Sequence, residues 1–351
     1  MVFDYKILYD AWRATVTLNS VEPNRVKYRY YLEENLFGLA NELNTKTYQP
    51  SPFRDKVILY PKKRIAQVPS LRDKIVQHAI YDNGLYDMLT KPLIKGVSAC
   101  MVNRGDGYAS QHLKDLLVHY KNKYGTKFYC LKCDIKSYFA TIPHDRLYEL
   151  IERYVTDDDF KWIMKRFIDQ SDVGLALGLP QSQALANLYL SELDHNIKEK
   201  LHAEFYGRHM DDFYIISNDY DYLKKCLDYI ENYVASVGLK LNPKTCIYEN
   251  KIEFLGFKYF FGNENGKIVM RLLSQKRRSK RRGLKKKLKS VASGEMSAEQ
   301  FALSYGGWRA HALRGNCYSL VKTWDEWITA ELKKLGYQLI IHKRSVRIKN
   351  E

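Results

Sequence analysis

Arg208-His209-Met210-Asp211-Asp212-Phe213-Tyr214-Ile215-Ile216 sets two adjacent carboxylates between a short polar approach and an apolar, β-prone run. Side chains on a flat strand alternate faces, so neighbouring aspartates serve one ligand only from a turn between strands. The stretch therefore predicts a tight hairpin with both acids at its tip. Two carboxylates there suit Mg²⁺, a hard cation that takes oxygen ligands and shares them with substrate phosphates. A solvated turn is the plainer alternative. A two-metal site needs a further acid from elsewhere in the chain. Phe128-Tyr129-Cys130-Leu131-Lys132-Cys133-Asp134-Ile135 supplies a candidate, an apolar strand ending in Asp134, with Phe139 five residues on as a ring to flank a sugar. The alternative for Asp134 is a cap on the helix expected from Pro143.

Composition bounds the answer. With 351 residues, 45% of them hydrophobic, and 28 tyrosines, the chain can bury a core in two or three lobes rather than stay disordered. No run approaches the ~20 apolar residues that span a bilayer. Met1 to Lys6 shows no basic leader before an apolar block. A cytoplasmic protein without a membrane partner is expected. The six cysteines, at 100, 130, 133, 226, 246 and 317, form no disulfide framework, and Cys130-x-x-Cys133 lacks a second pair at zinc-finger spacing. The net charge of +17 is concentrated: from Lys267 onward 21 Lys/Arg face 6 Asp/Glu. The last quarter is thus the part suited to a polyanion.

Along the chain, residues 1–50 suggest two helices, ended by Pro50 and Pro52. Residues 53–68 read as two short strands joined near Pro61, with Lys62, Lys63 and Arg64 at the turn, and Arg72 opens a helix to about Leu89. Cations on a hairpin and at the next helix start can converge on a triphosphate. Asn103-Arg104-Gly105-Asp106-Gly107 is a glycine-rich loop before a helix, matching neither the P-loop nor the dinucleotide fingerprint, with Arg104 as a template-side contact. Helices are expected from Pro143 to Tyr154, from about Asp157 to Ile168, and from Asp221 to about Val237, the last closed by Gly238. Ile252 to Phe261 reads as one aromatic strand and Asn263 to Gly266 as a hairpin turn. Ser274 to Leu288 is a helix with cations around most of its circumference, among them Lys276, Arg277, Arg278, Lys280, Arg281 and Arg282. Two further helices, 297–312 and 317–335, place Trp308, Trp324 and Trp327 in a core, and a basic tail follows.

Asp134 with Phe139, Gly178 through Tyr189, and His209-Met210-Asp211-Asp212 resemble the successive palm motifs of reverse transcriptases. Lys62-Lys63-Arg64 and Pro69 through His78 resemble the fingers motifs of the bacterial branch. Leu239 through Thr245 and Phe254-Leu255-Gly256-Phe257 resemble the segments after the catalytic hairpin. The resemblance spans about residues 55–260. It implies an α+β right-hand polymerase: an N-terminal helical cover (1–50), fingers (51–125), a ferredoxin-like palm (126–262, with an insertion at about 143–172) and a basic α-helical thumb and tail (263–351). It further implies that Asp134, Asp211 and Asp212 hold two Mg²⁺ ions, for which Mn²⁺ can substitute, with help from the Ile135 carbonyl. Arg64, Arg72 and Gln183 would hold the incoming dNTP, Phe139 would exclude ribonucleotides by bulk, and Lys244 would serve the pyrophosphate. Gly256 belongs to the primer-holding element, and His209 stands where the family's tyrosine lies under the primer end.

Two departures refine the expected function. Counting back from Ala186-Asn187-Leu188-Tyr189-Leu190, Ser182 takes the family's serine, Gln183 the place of its proline and Leu177 that of its glutamine, while Pro180-Gln181 mimics the usual dipeptide out of register. This pattern resembles reverse transcriptases of diversity-generating retroelements, which copy a dedicated template RNA into cDNA with errors at adenines and bind a small accessory protein. The second departure is His209, a flat ring with a titratable nitrogen. It suits the alternative of an antiphage defence enzyme copying an associated noncoding RNA, by itself or through self-assembly. A catalytically silent nucleic-acid-binding protein on a polymerase scaffold is the third reading, and the retention of three aspartates argues against it.

Overall fold

Apolar and aromatic side chains at helical spacing open the chain as helices: α1 (Tyr5–Thr15), α2 (Pro23–Tyr30) and α3 (Leu32–Asn44). The computed structural model describes residues 1–15, 23–58, 64–263, 266–342 and 345–350. Where two N-terminal helices were expected, the described residues form three, because the chain bends at Tyr31 (φ −105°, ψ 37°). α1 buries Leu8, Ala11 and Trp12, and α3 buries Leu36, Leu39, Ala40 and Leu43.

The expected hairpin is β1 (Arg54–Ile58) with β2 (Arg64–Val68), antiparallel from Arg54↔Val68 to Ile58↔Arg64. Lys62, Lys63 and the side chain of Arg64 lie outside the described residues. Ser70 caps α4 (Leu71–Ile80) by accepting the Asp73 N–H, and α1 packs against α4. The single helix expected to Leu89 is interrupted by a widened π turn, Tyr81–Leu85, where Gly84 has φ +125°, before α5 (Tyr86–Thr90).

Then follow α6 (Asp106–Tyr124), β3 (Tyr129–Asp134), α7 (Tyr138–Thr141), α8 (His144–Tyr154), α9 (Asp158–Ile168), α10 (Pro180–Tyr189), α11 (Ser191–Glu199), β4 (Phe205–His209), β5 (Asp212–Ser217), α12 (Tyr220–Ser236) and β6 (Cys246–Glu249). Asp157 caps α9 through the N–H groups of Asp159 and Phe160. α12 ends at Gly238 as expected, for two reasons: its φ is +76°, and a Cβ there would meet Pro143 Cγ at 2.6 Å. The four strands order as β4-β5-β3-β6. With helices between β3 and β4 and between β5 and β6, this is the split β-α-β arrangement of a ferredoxin-like palm, and the fold class is the expected α+β.

The remaining elements are β7 (Ile252–Phe254), β8 (Phe257–Phe261), β9 (Ile268–Leu272), α13 (Ser274–Ala292), α14 (Ala298–Ala312), α15 (Tyr318–Lys333), β10 (Tyr337–His342) and β11 (Ser345–Asn350). The aromatic run 252–261 is two strands rather than one. Leu255 (φ +49°) and Gly256 (φ +82°) turn the chain between them. Nor is the C-terminus simply a basic tail: β10 and β11 pair antiparallel, and Leu339 and Val346 join Leu284, Phe301, Tyr305, Trp324 and Ile328 in a core. Trp308 stacks on Trp324 with centroids 4.2 Å apart, and Trp327 packs at the edge of the same core. These tryptophans are core, as expected.

Backbone contacts divide the chain into two compact units. One comprises residues 1–112, 133–216 and 220–246, and the other 113–132, 217–219 and 247–351. Among the described residues no helix is long and apolar enough to cross a membrane.

Candidate active site

β4 and β5 pair from Phe205↔Ile216 to His209↔Asp212, which leaves Met210 and Asp211 as a two-residue turn. Met210 has φ +62°, whereas Asp211 is not among the residues of positive φ. A left-handed φ at the first central position alone is the type II′ pattern, where glycine is the usual occupant. The turn carries Asp211 on its tip and Asp212 at the first position of β5, while Phe213 to Ile216 are buried behind them. Gly207, opposite Tyr214, is a strand glycine for lack of room: a Cβ there would run into the Tyr214 ring.

β3 lies beside β5 in the sheet and ends at Asp134. The Asp134 carboxylate accepts from Asn242 Nδ2 at 2.8 Å, and its backbone carbonyl accepts the Asn242 N–H at 2.7 Å. The Lys136 N–H donates to Lys240 O at 2.9 Å, which makes Ile135↔Leu241 a non-hydrogen-bonded antiparallel pair. Ile135's own carbonyl therefore points away from residues 240–242, toward the edge on which β5 lies. Lys244 is exposed, and its backbone N–H donates to Asn242 Oδ1 at 3.1 Å. Ser137, in the left-handed region (φ 53°), swings the chain from β3 into α7.

Phe139 is half-buried, edge-on to Tyr138. The loop before α10 lies against it: Leu175 N–H donates to Phe139 O at 2.7 Å and Gly174 N–H to Ile142 O at 2.9 Å. A Cβ on Gly174 would come within 2.7 Å of the Phe139 carbonyl. Leu177 and Gln183 are half-buried, and Ser182 is buried. The Tyr138 hydroxyl, donating to Ala186 O, is held far above its ordinary pKa by burial first; Arg208 opposes this and Asp211 adds to it.

Beneath the turn lies a charge pair that sequence reasoning missed. Arg208 and Asp194 are both buried, joined through Nε–Oδ1 at 2.8 Å and Nη2–Oδ2 at 2.6 Å. Arg208 Nη1 donates to the Met210 carbonyl at 2.9 Å and to Asn187 Oδ1 at 3.2 Å, and Nη2 donates to Asn187 O at 3.0 Å. The Tyr206 hydroxyl also donates to Asp194, and Asn187 Nδ2 donates to Ala99 O at 2.7 Å. Burial alone would lower the Arg208 pKa, but Asp194 outweighs it and raises the value above the ordinary one. The available signal was an arginine inside a strand of otherwise buried pattern, Phe205-Tyr206-Gly207-Arg208, since arginine is almost never fully buried unless paired.

His209 is half-buried; its Nδ1 stands 3.1 Å from Ser98 Oγ and its Nε2 3.5 Å from Asp106 Oδ1. Arg104 braces its own loop, donating to Val97 O at 2.8 Å and lying 5.4 Å above the Tyr108 ring. Arg72 is ion-paired with Glu42, donates to Gln49 O at 3.2 Å and lies 4.7 Å above the Tyr48 ring. In the second unit, Gly256 O accepts the Leu273 N–H just ahead of α13, at 3.1 Å. Lys276, Arg277, Arg278, Arg281 and Arg282 are exposed on α13, with Arg281 set 5.7 Å from the Trp327 ring centroid. Lys280 instead turns inward to Ser304 O, and burial, with Lys287 beside it, lowers its pKa.

Among the described residues no three His, Cys, Asp or Glu side chains stand in a group that would hold a metal ion as they are. The strand placement and the donor chemistry fit one nonetheless. Asp134, Asp211, Asp212 and the Ile135 carbonyl offer only hard oxygen donors, the set Mg²⁺ takes. Like-charged carboxylates repel, and a shared divalent cation reverses that sign. Asp134 would have to turn from Asn242 toward the hairpin to join the set. Cys130 and Cys133 are buried in β3, and neither is in a disulfide.

Residues 59–259 match the family described as reverse transcriptase (RNA-dependent DNA polymerase). The chain belongs to the reverse transcriptase family. Among reverse transcriptase relatives it is similar to the group II intron-encoded protein LtrA of Lactococcus lactis subsp. cremoris, 26% identical over 178 residues, covering 47% of this chain and 28% of that protein. It is also similar to protein YkfC of Escherichia coli (strain K12), 28% identical over 196 residues, covering 50% of this chain and 49% of that protein. This reverse transcriptase chain thus spans about half or less of the length of the relatives it matches. Among solved structures it is similar to telomerase from Candida albicans, with a TM-score of 0.49 and 13% identity over 64% of this chain and 46% of that one.

Proposed function

We propose that the chain is an RNA-directed DNA polymerase that makes cDNA from a dedicated template RNA, with reduced fidelity. The observation that carries the reading is the Asp211–Asp212 turn that opens β5, with β3, the strand that ends at Asp134, as the neighbour of β5 in a β4-β5-β3-β6 sheet. Two Mg²⁺ ions, or Mn²⁺ in their place, would when bound polarise the primer 3′-hydroxyl and the dNTP triphosphate for in-line attack. The chain's own residues do the rest. Asp134, Asp211 and Asp212 supply carboxylate oxygens, Phe139 crowds the sugar C2′, and the loop from Gly174 to Leu179 that rests on the Phe139 backbone, with the first turn of α10 after it, forms the wall beside the new base pair.

Leu177 in that loop and Gln183 in the first turn of α10 motivate the loss of fidelity, because selection is a difference between right and wrong base-pair geometries. The exposed cations of α13, in the second unit, favour a phosphate backbone and would make nucleic-acid binding fall steeply with salt. Arg72 would have to exchange Glu42 for the triphosphate to serve there.

Primer extension on an RNA template tests the activity, with Asp211→Ala as the inactive control; extension that survives this substitution would refute the assignment. Single-nucleotide incorporation tests the fidelity, and error rates opposite adenine no higher than opposite other bases would remove that part alone.

A further inference from the structure

We infer that Arg208, locked by Asp194 and Asn187, is the positioning residue of the Asp211–Asp212 turn. Three independent observations converge on it. Met210 adopts a left-handed φ of +62° in a position where glycine is the usual occupant, so the turn has a conformation its own residue disfavours. The Met210 carbonyl is held by Arg208 Nη1 at 2.9 Å, a charge-assisted bond made from beneath the turn. Arg208 in turn has no freedom to move. Both oxygens of buried Asp194 grip its fork, and Asn187, at the end of α10, accepts from both of its terminal nitrogens.

The same residue is also tied along its backbone. Arg208 N–H donates to Gly96 O at 3.0 Å, and its carbonyl accepts from Ser98 N–H and Ser98 Oγ, each at 3.0 Å. Residues 96–98 thus run alongside β4 as a short splint, with Val97 bridged in parallel to Arg208. Segments from four parts of the chain, residues 96–99, α10, α11 and β4, meet around Arg208, whose guanidinium bonds Asn187 of α10, Asp194 of α11 and the peptide that carries Asp211. Arg208 touches no reacting atom in this arrangement. It acts through the Met210–Asp211 peptide by fixing where the two carboxylates stand, and a misplacement of about 1 Å there can cost about 100-fold in rate.

Removing Arg208 alone would leave a lone buried charge and confuse positioning with folding. The informative variant is therefore Arg208→Met with Asp194→Leu and Tyr206→Phe, which removes both charges and the phenol that donates to Asp194 while keeping volume. Hydrogen exchange of the hairpin amides is read first, since it does not depend on activity. The expected result is exchange at Met210 to Phe213 at least about tenfold faster, with the rest of the β4-β5-β3-β6 sheet unchanged. The kinetic arm rests on the polymerase reading: kcat for primer extension falls about 100-fold while KM for dNTP stays put. Adding Met210→Gly, which accepts the left-handed φ freely, recovers part of the lost kcat and would do nothing for a merely structural defect. If the triple variant does not fold, Arg208→Lys keeps the charge without the fork and should give the same local exchange signature. A folded variant with wild-type hairpin exchange overturns the inference, whatever the activity. Absence of extension by the wild-type protein would instead overturn the polymerase reading and leave the exchange result to decide this one.

Discussion

Two two-residue hairpin turns in this chain solve the same backbone problem differently. Leu255-Gly256, between β7 and β8, takes positive φ at both central residues, the type I′ pattern, and fills the second with glycine. A Cβ on Gly256 would meet only His311 Nε2, at 3.9 Å, so the residue is glycine for its φ and not for space. Met210-Asp211, between β4 and β5, uses no glycine at all. Its second residue is an acid, its first is left-handed without the residue type that makes this free, and a buried arginine supports it from below. The β7–β8 turn meets its geometry with a glycine of its own, whereas the turn that carries Asp211 draws on a buried arginine held by residues distant in sequence. The cost is a buried ion pair with little net stability of its own.

Breaking one partner of that pair should give the largest effect. Asp194→Leu alone leaves the Arg208 charge buried and unpaired and should cost about 3–5 kcal/mol in a urea melt. An intact melt would mean that water reaches Arg208. Next comes Gly207→Ala, where the added methyl must displace the Tyr214 ring in a close-packed strand pair, for a loss of about 1–3 kcal/mol. The companion variant Tyr214→Leu should relieve most of it. At the other hairpin, Gly256→Ala should cost about 1–2 kcal/mol through its left-handed φ alone. A neutral result would show that this turn relaxes, and would erase the contrast with the Met210 turn.

The smallest effect is a pH dependence beside Asp194 on α11. His195 Nδ1 faces Glu199 Oε1 at 2.9 Å and its Nε2 faces Pro92 O at 3.0 Å, and the Glu199 contact first, then Pro92, raises its pKa. A histidine with a raised folded pKa adds stability that is complete below its unfolded value of about 6.5 and fades as pH rises through the folded value. Urea melts across that range should show the decline in the wild type and a flatter profile in His195→Gln.

Much of the palm is legible in the sequence because its signals are local. An apolar run behind Asp211-Asp212, an apolar run ahead of Asp134, and caps at Asp157 and Gly238 each announce an element from within a few residues. What stayed hidden depends on partners far along the chain. Nothing near Arg208 points to Asp194 or Asn187, since an ion pair across a loop and a helix leaves no periodicity. The run Ile252 to Phe261 reads as one strand because its aromatics continue on both sides of Leu255-Gly256, and Gly256 looks like a packing glycine until the pairing Phe254↔Phe257 makes it a turn. The end of the chain reads as a basic tail because Arg347 and Lys349 dominate its composition. The alternating Val346 and Ile348 make it a strand only once α14 and α15 offer apolar surface to cover. Arg72 and Arg104 carry the charge their motifs suggest, yet the structure engages them with Glu42 and with the Val97 carbonyl.

The central claim is that Asp134, Asp211 and Asp212 act on one divalent-ion site, and a crystal structure with Mn²⁺, read by anomalous scattering, tests it most directly. The account predicts a manganese peak bridging the carboxylates of Asp134 and the hairpin, with Asp134 turned away from Asn242. Asp134 still bonded to Asn242, with manganese bound elsewhere or nowhere at saturating concentration, would contradict it.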